Sequence, residues 1–231
     1  YHKALRIKEE IAHGLDFNEA AVRYSDDQSA QDRINPQTNR MQYGNHGELG
    51  YFSVLEMIYP FENVAYNSPV GQVSMPVRTQ FGYHLIYVQD KIPAIAKMFV
   101  SQIFIKDTAA LSRTADHSAA MARCAQVRRE FQQGVSFDTL AARYSDDMVT
   151  RKNGGRMEPF VPNRRPGDYV AAAYALKDGQ ISEPVASGIG WHILRLDSVV
   201  FTTVNDEFQY MIKNRLGRDA RSRKSKESLV E

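Results

Sequence analysis

The sequence predicts an α+β protein of two tandem domains, each an antiparallel sheet with helices around it, followed by a C-terminal helix. Three observations predict it: the chain repeats itself, the repeat is domain-sized, and inside each repeat a helical period gives way to strand, helix, strand and strand. Residues 14–27 (GLDFNEAAVRYSDD) return as 134–147 (GVSFDTLAARYSDD), with eight of fourteen positions identical at an offset of 120. Further along the offset becomes 108. There Gly47, Phe52, Ala65, Tyr66, Gly71, Gln72, Ser74, Pro76, Val77, Gly82 and His84 match Gly155, Phe160, Ala173, Tyr174, Gly179, Gln180, Ser182, Pro184, Val185, Gly190 and His192. The twelve-residue difference falls on the polar stretch 28–46, rich in Asn, Gln and Gly, which reads as a surface-loop insertion in repeat one. A repeat of about 110 residues is a domain and not a solenoid unit. The expected boundaries are 1–92 and 97–200 for the two domains and 201–231 for a charged helical extension.

Each repeat opens with a helix. Ala4, Ile7 and Ile11 in the first, and Cys124, Val127 and Phe131 in the second, lie three and four apart on one face. Cys124 therefore belongs to a buried stripe and reads as an inert structural thiol. Gly14 and Gly134 end these helices. A short second helix carries Phe17, Ala20, Ala21 and Tyr24, and its twin carries Phe137, Leu140, Ala141 and Tyr144. A strand is expected at 49–52 (twin 157–161), a helix at 59–66 (twin 169–176), and then 73–77, a turn at Gly82, and an alternating strand 83–88 (twin 191–196). Repeat two has one further strand at 99–105, whose counterpart in repeat one would fall before Tyr1. Repeat one is thus expected to lack its opening strand, and a strand upstream of Tyr1 is expected to supply it. Beyond Asp206, Phe208, Met211, Ile212 and Leu216 mark one side of an amphipathic helix, a connector to a further domain or a partner helix.

Composition excludes several functions. The formal charge of +2 sits entirely in residues 218–231, which hold five basic and three acidic side chains. The remaining body is neutral and offers no basic excess to displace counterions from phosphates, so nucleic acid is not an expected partner. One cysteine builds neither an internal disulfide nor a Cys-rich metal site. The six histidines show no ligand spacing, so no metal is expected. The longest purely apolar run, 170–176, is far short of the roughly 20 residues a membrane span needs.

The segments GELGYF (47–52), GQVSMPV (71–77) and FGYHLI (81–86), in that order, resemble the parvulin family of peptidyl-prolyl cis-trans isomerases. The resemblance covers residues 1 to about 90 and 97–198. The tandem arrangement and the charged closing segment are similar to bacterial periplasmic parvulins of the outer-membrane-protein chaperone type. The resemblance implies an apolar proline cup in repeat one made by Leu49, Met57, Phe61 and Phe81. It places His84 on the strand beside the cup and Glu48 where many parvulins carry an acidic residue or cysteine. The family's other histidine would lie on the opening strand, upstream of Tyr1. The resemblance also implies proline-containing unfolded polypeptides as partners, outer-membrane-protein precursors among them, a periplasmic location, and no cofactor.

Repeat two departs from this pattern. Gln102 stands where the first-strand histidine is expected, Arg156 where Glu48 is, Arg165 for Met57, Tyr169 for Phe61 and Ile189 for Phe81. Only His192, and Met157 for Leu49, stay close. Two arginines in a dry pocket would cost desolvation energy, so repeat two is expected to be weak or inactive as an isomerase. The basic stretch Arg151, Lys152, Arg156, Arg164 and Arg165 reads either as a solvated loop or as a face for acidic or phosphorylated peptides.

These residue types suit a rotation that breaks no covalent bond. The amide barrier is about 18–20 kcal/mol, and the uncatalysed X-Pro flip takes tens to hundreds of seconds. The planar amide is the more polar state, so an apolar cup penalises it more than the twisted one. A donor to the imide nitrogen adds differential stabilisation of the transition state. Other readings stand beside these. Without the resemblance, Leu49, Met57 and Phe61 read as core. His84, which persists as His192 in the degenerate repeat, reads as an orienting group before a proton donor. Glu48 reads equally well as a solvated strand-end carboxylate, and the YSDD segments as loop hydrogen-bonding devices. A non-catalytic peptide-binding chaperone is the alternative function.

Overall fold

A computed structural model describes residues 1–219 apart from Thr38, Arg40 and 110–115. The charged end of the expected extension, 220–231, lies outside the described residues. The chain divides into two compact units. Unit 1 is Tyr1–Ala94 together with the described residues from Thr203 onward, and unit 2 is Ile95–Thr202.

Unit 1 opens with α1 (His2–Ala12), which presents buried Ala4 and the half-buried Leu5, Ile7 and Ile11. Next comes α2 (Phe17–Tyr24), whose first turn is capped by Asp16: its Oδ1 accepts from Asn18 N at 2.9 Å and Glu19 N at 3.0 Å. The insertion forms a small ribbon, β1 (Arg33–Ile34) against β2 (Met41–Gln42). Then follow α3 (Tyr59–Asn67), started by Pro60 in its first turn, and the hairpin β3 (Val77–Thr79) and β4 (Gly82–His84).

Unit 2 runs β5 (Ile95–Lys106), α4 (Ser118–Gln132), α5 (Phe137–Tyr144), α6 (Gly167–Tyr174), β6 (Val185–Ser187) and β7 (Gly190–Phe201). Its sheet has the order β5-β7-β6 with every pair antiparallel, Ile103 facing Ile193 and Phe104 facing His192. The stripe of α4, Ala120, Cys124 and Val127, packs on Ile103, Ile105 and Ile193 of the sheet and on Phe137 and Leu140 of α5. Cys124 is fully buried, and burial pushes its thiol up to about 11, which keeps it protonated and unreactive. The last helix, α7 (Asp206–Arg218), is capped by Asn205 Oδ1 and groups with unit 1, where Arg215 Nη1 reaches Glu56 Oε1 at 3.3 Å.

The two repeats differ most in their strands. Residues 157–161, expected as a strand, join the sheet only through isolated bridges to β5. Met157 N donates to Val100 O at 3.0 Å, and Phe160 N and O pair with Met98 at 3.1 and 2.8 Å. The expected strand 49–52 is absent from unit 1, where no described strand takes the place of β5. The same absence accounts for β4: three residues, where its twin β7 runs for twelve. Beyond the hairpin the pairing continues through the bridge Val73↔Tyr87, with Ser74 N donating to Ile86 O and Gly71 N to Val88 O, both at 2.8 Å. A strand is held by its neighbours' N–H and C=O groups, so one sequence pattern yields a strand in one unit and extended coil in the other.

Candidate functional site

In unit 1 the hairpin and α3 bring four groups together. Phe61, on the first turn of α3, sets its ring edge-on to the His84 imidazole, centroids 5.6 Å apart at 88°. Phe52 lies 6.3 Å from Phe61 on one side and 6.3 Å from Tyr66 on the other. His84 Nε2 stands 2.7 Å from the hydroxyl of buried Thr79, and that hydroxyl oxygen also accepts from Phe81 N at 3.1 Å. Desolvation lowers the pKa of His84, and the opposing field of Asp27 does not restore it. The imidazole is therefore neutral at pH 7 and works as an oriented hydrogen-bonding ring. Asp27 is kept ionised by the backbone N–H of Ser29, and its carboxylate pKa is lowered.

Of the remaining expected residues, Glu48, Leu49 and Met57 lie on the segment before α3 and Phe81 in the turn between β3 and β4. Met57 is half-buried on the loop leading to α3. That loop is held by Glu62, a buried carboxylate on α3 whose Oε2 accepts from Leu55 N at 2.7 Å, with Leu55 in the left-handed region at φ +65°. Leu49 and Phe81 stand at the surface, 51% and 73% exposed. The Glu48 carboxylate is directed to α2, where it accepts from Asn18 Nδ2 at 2.9 Å, and the acidic group whose field reaches His84 is Asp27. Phe52, Thr79 and Asp27 were not singled out from the sequence as site residues. The available signals were the repetition of YSDD in both repeats and the hydroxyl five residues before each histidine.

The equivalent place in unit 2 is filled by its own hydrogen bonds. His192 Nδ1 and the Tyr169 hydroxyl both reach Gln102 Oε1, at 3.1 and 3.2 Å, and Gln102 Nε2 donates to Asp147 Oδ2 at 3.1 Å. Asp147 also accepts from Thr150 Oγ1 at 2.6 Å. His192 Nε2 faces Ser187 Oγ at 3.1 Å, and the Tyr169 hydroxyl lies 2.9 Å from Met157 Sδ. Burial brings His192 down to about 4, with Arg165 acting in the same direction, and raises the Tyr169 phenol. The expectation of two arginines in this cup needs correction. Arg156 turns to Asp138 at 3.0 Å and to the Asn153 carbonyl at 2.8 Å, outside the cup. Arg165 stays exposed at the rim, 5.2 Å above the Phe160 ring. Both charges remain accessible to water, which avoids the burial cost. Ile189, the counterpart of Phe81, is 53% exposed.

Among the described residues, no group of three or more His, Cys, Asp or Glu is arranged to hold a metal ion, and no helix is long and apolar enough to cross a membrane. In unit 1 the Phe52, Phe61 and Tyr66 rings, the Thr79 hydroxyl and the neutral His84 imidazole thus lie side by side.

Two family profiles match the chain, each described as a PPIC-type PPIase (peptidyl-prolyl isomerase) domain, at residues 1–92 and 103–198. The chain belongs to the PPIC-type peptidyl-prolyl isomerase family and carries two domains of that type in tandem. Similar curated proteins include chaperone SurA of Nitrosococcus oceani, 25% identical over 98% of this chain and 50% of that protein. Chaperone SurA of Methylococcus capsulatus is 27% identical over 84% of this chain and 40% of that protein. The chain thus spans half or less of the length of these relatives. Among solved structures, the peptidylprolyl isomerase PrsA of Bacillus anthracis is similar at 28% identity with a TM-score of 0.40, covering 53% of this chain and 51% of that one.

Proposed function

We propose that unit 1 catalyses cis–trans isomerisation of X-Pro bonds in unfolded or partly folded polypeptides, and that unit 2 serves as a peptide-binding or structural domain. The observation that carries this reading is the Phe52–Phe61–His84–Thr79 group, which sets an aromatic wall beside a neutral, hydroxyl-oriented imidazole. A prolyl ring packed on Phe61, with Met57 and Leu49 at its side, leaves water. The planar amide loses more solvation than the twisted one, so its barrier falls. His84 orients the site, and Asp27 takes the acidic role first expected of Glu48. The name chaperone borne by the relatives supports a folding role here, with outer-membrane-protein precursors as clients and the periplasm as the compartment.

The test is a prolyl-isomerisation assay on the 231-residue chain. Phe61→Ala and Met57→Ala each lower kcat/KM by roughly tenfold, the equivalent of about 1.4 kcal/mol of transition-state stabilisation. Asp27→Asn lowers it as well, while Glu48→Gln and Arg165→Ala leave it unchanged. Equal rates in all five variants would overturn the assignment of the site to unit 1.

A further inference from the structure

The counterpart of Phe61 in unit 2 is Tyr169, on the first turn of α6, and it is 6% exposed. Its ring is bracketed edge-on by His192, centroids 5.6 Å apart at 76°, and by Phe160 at 6.1 Å and 63°. Its hydroxyl reaches across to Gln102 on β5 and Met157 on the neighbouring edge segment, the two residues that replace the expected first-strand histidine and Leu49. One phenol therefore ties together three elements that would otherwise wall a cup. We propose that Tyr169 closes the unit 2 site from within: its ring keeps the place of the Phe61 wall, its hydroxyl reaches across to Gln102 and Met157 where a prolyl ring would sit, and no prolyl peptide enters until that tie is broken. The proposal rests on the reading of Leu49, Met57 and Phe61 as the proline-binding residues of unit 1, because Met157, Arg165 and Tyr169 are their counterparts.

The hydrogen-bond pattern explains why the closure persists. Gln102 Oε1 accepts from both Tyr169 and His192, its Nε2 donates to Asp147, and Asp147 is in turn held by Thr150 Oγ1. Gln102 is itself 8% exposed, so its polar atoms depend on these partners. An apolar prolyl ring replaces none of those bonds, and its entry would leave buried donors and acceptors unpaired. A phenylalanine at 169 would keep the wall and remove the tie. The substitution that distinguishes the two units is thus one hydroxyl on the same ring position, reinforced by a Gln that accepts from it.

The test is a titration of the isotope-labelled full chain with the tetrapeptide Ala-Phe-Pro-Phe, followed by NMR at the amides of Gln102, Tyr169 and His192. In the wild-type chain these resonances stay in place. Tyr169→Phe and Gln102→Ala each make them move, at peptide concentrations at least roughly tenfold lower than any effect on the wild-type chain. Amide dispersion of β5 and β7 in the same spectra reports that unit 2 is still folded in each variant. Wild-type binding at these residues as tight as in Tyr169→Phe would overturn the proposal, and so would two folded variants that both fail to bind. The resonances of Phe61 and His84 read the unit 1 site in the same titration. A failure of the unit 1 reading therefore shows as silence there, whatever unit 2 does.

Discussion

Thr79 Oγ1 stands 2.7 Å from His84 Nε2, and unit 2 repeats the relationship with Ser187 Oγ and His192 Nε2 at 3.1 Å. The hairpin register makes this so. Val77 pairs with His84 and Thr79 with Gly82, just as Val185 pairs with His192 and Ser187 with Gly190. Hydroxyl and imidazole are therefore diagonal neighbours on one face of the ribbon. A single hydrogen bond of this kind contributes about 1 kcal/mol, roughly a fivefold effect when expressed in a rate. Thr79→Val is expected to lower prolyl-isomerisation kcat/KM by about that factor, and Thr79→Ser to retain the rate. A Val variant as active as the wild-type chain would remove the orienting role from this pair.

A buried carboxylate, Glu62, helps to hold the loop that carries Met57. Glu62 is 4% exposed, and its Oε2 accepts from Leu55 N, which sits at a positive φ that a leucine adopts only under constraint. Glu62→Gln keeps an acceptor oxygen in place and is expected to hold the loop. Glu62→Ala leaves the Leu55 N–H without this acceptor and is expected to destabilise unit 1 by about 1–3 kcal/mol, with a rise in KM for prolyl peptides. Thermal unfolding and kinetics on the two variants check it, and equal behaviour of Gln and Ala would refute the clamp.

How much of this was legible depended on whether the controlling partner is local in sequence. The stripe Cys124–Val127 on α4 and the stop at Gly134 are local, and the period of the helix displays them directly. Residues 49–52 and 157–161 carry the same pattern yet differ in structure. The difference is β5, whose Val100 and Met98 backbone groups hold 157–160 from more than fifty positions away. The repeat offset exposed His84 through its twin His192, whereas Phe61, whose twin is a tyrosine, came from the family resemblance. Thr79 and Asp27 were missed because their importance arises from a diagonal across a hairpin and from a turn that aims a carboxylate at a distant imidazole. Arg156 misled for a similar reason: Asp138 on α5, invisible as a partner in sequence, draws it out of the cup.

The half-buried histidine of unit 2 should leave a mark on stability. His192 falls from the ordinary 6.5 to about 4 because burial disfavours its charged form, with Arg165 pushing the same way and Asp147 opposing. Between pH 6.5 and 4 the unfolded chain binds a proton that the folded unit refuses. This contribution is therefore fully present above pH 6.5 and is lost as pH falls through the window, by about 3 kcal/mol at most. His192→Gln removes the titration. The difference in unfolding free energy between wild type and variant is expected to shrink as pH is lowered from 7 to 4. Parallel profiles would show that His192 does not titrate in this way.

Gly155 sets how closely the edge segment approaches β5. It has φ +82°, and a Cβ built on it would lie 2.4 Å from the Gln102 carbonyl oxygen, the strand residue whose N–H donates to Gly155 O at 2.8 Å. Backbone on both sides leaves nothing to rotate away, so Gly155→Ala must push the segment off the strand and weaken the bond from Met157 N to Val100 O with it. Gly134 offers a control: φ +92° with nothing within 4 Å of a built Cβ, so alanine there adds backbone strain and no collision. Strain alone costs about 1–3 kcal/mol. Gly155→Ala is expected to lose that and at least about 1 kcal/mol more, and to shift the amide resonances of Gln102 and Met157 where Gly134→Ala does not. If the two variants unfold at the same temperature with the same spectra around Gln102, the close approach at Gly155 is not what holds Met157 against β5.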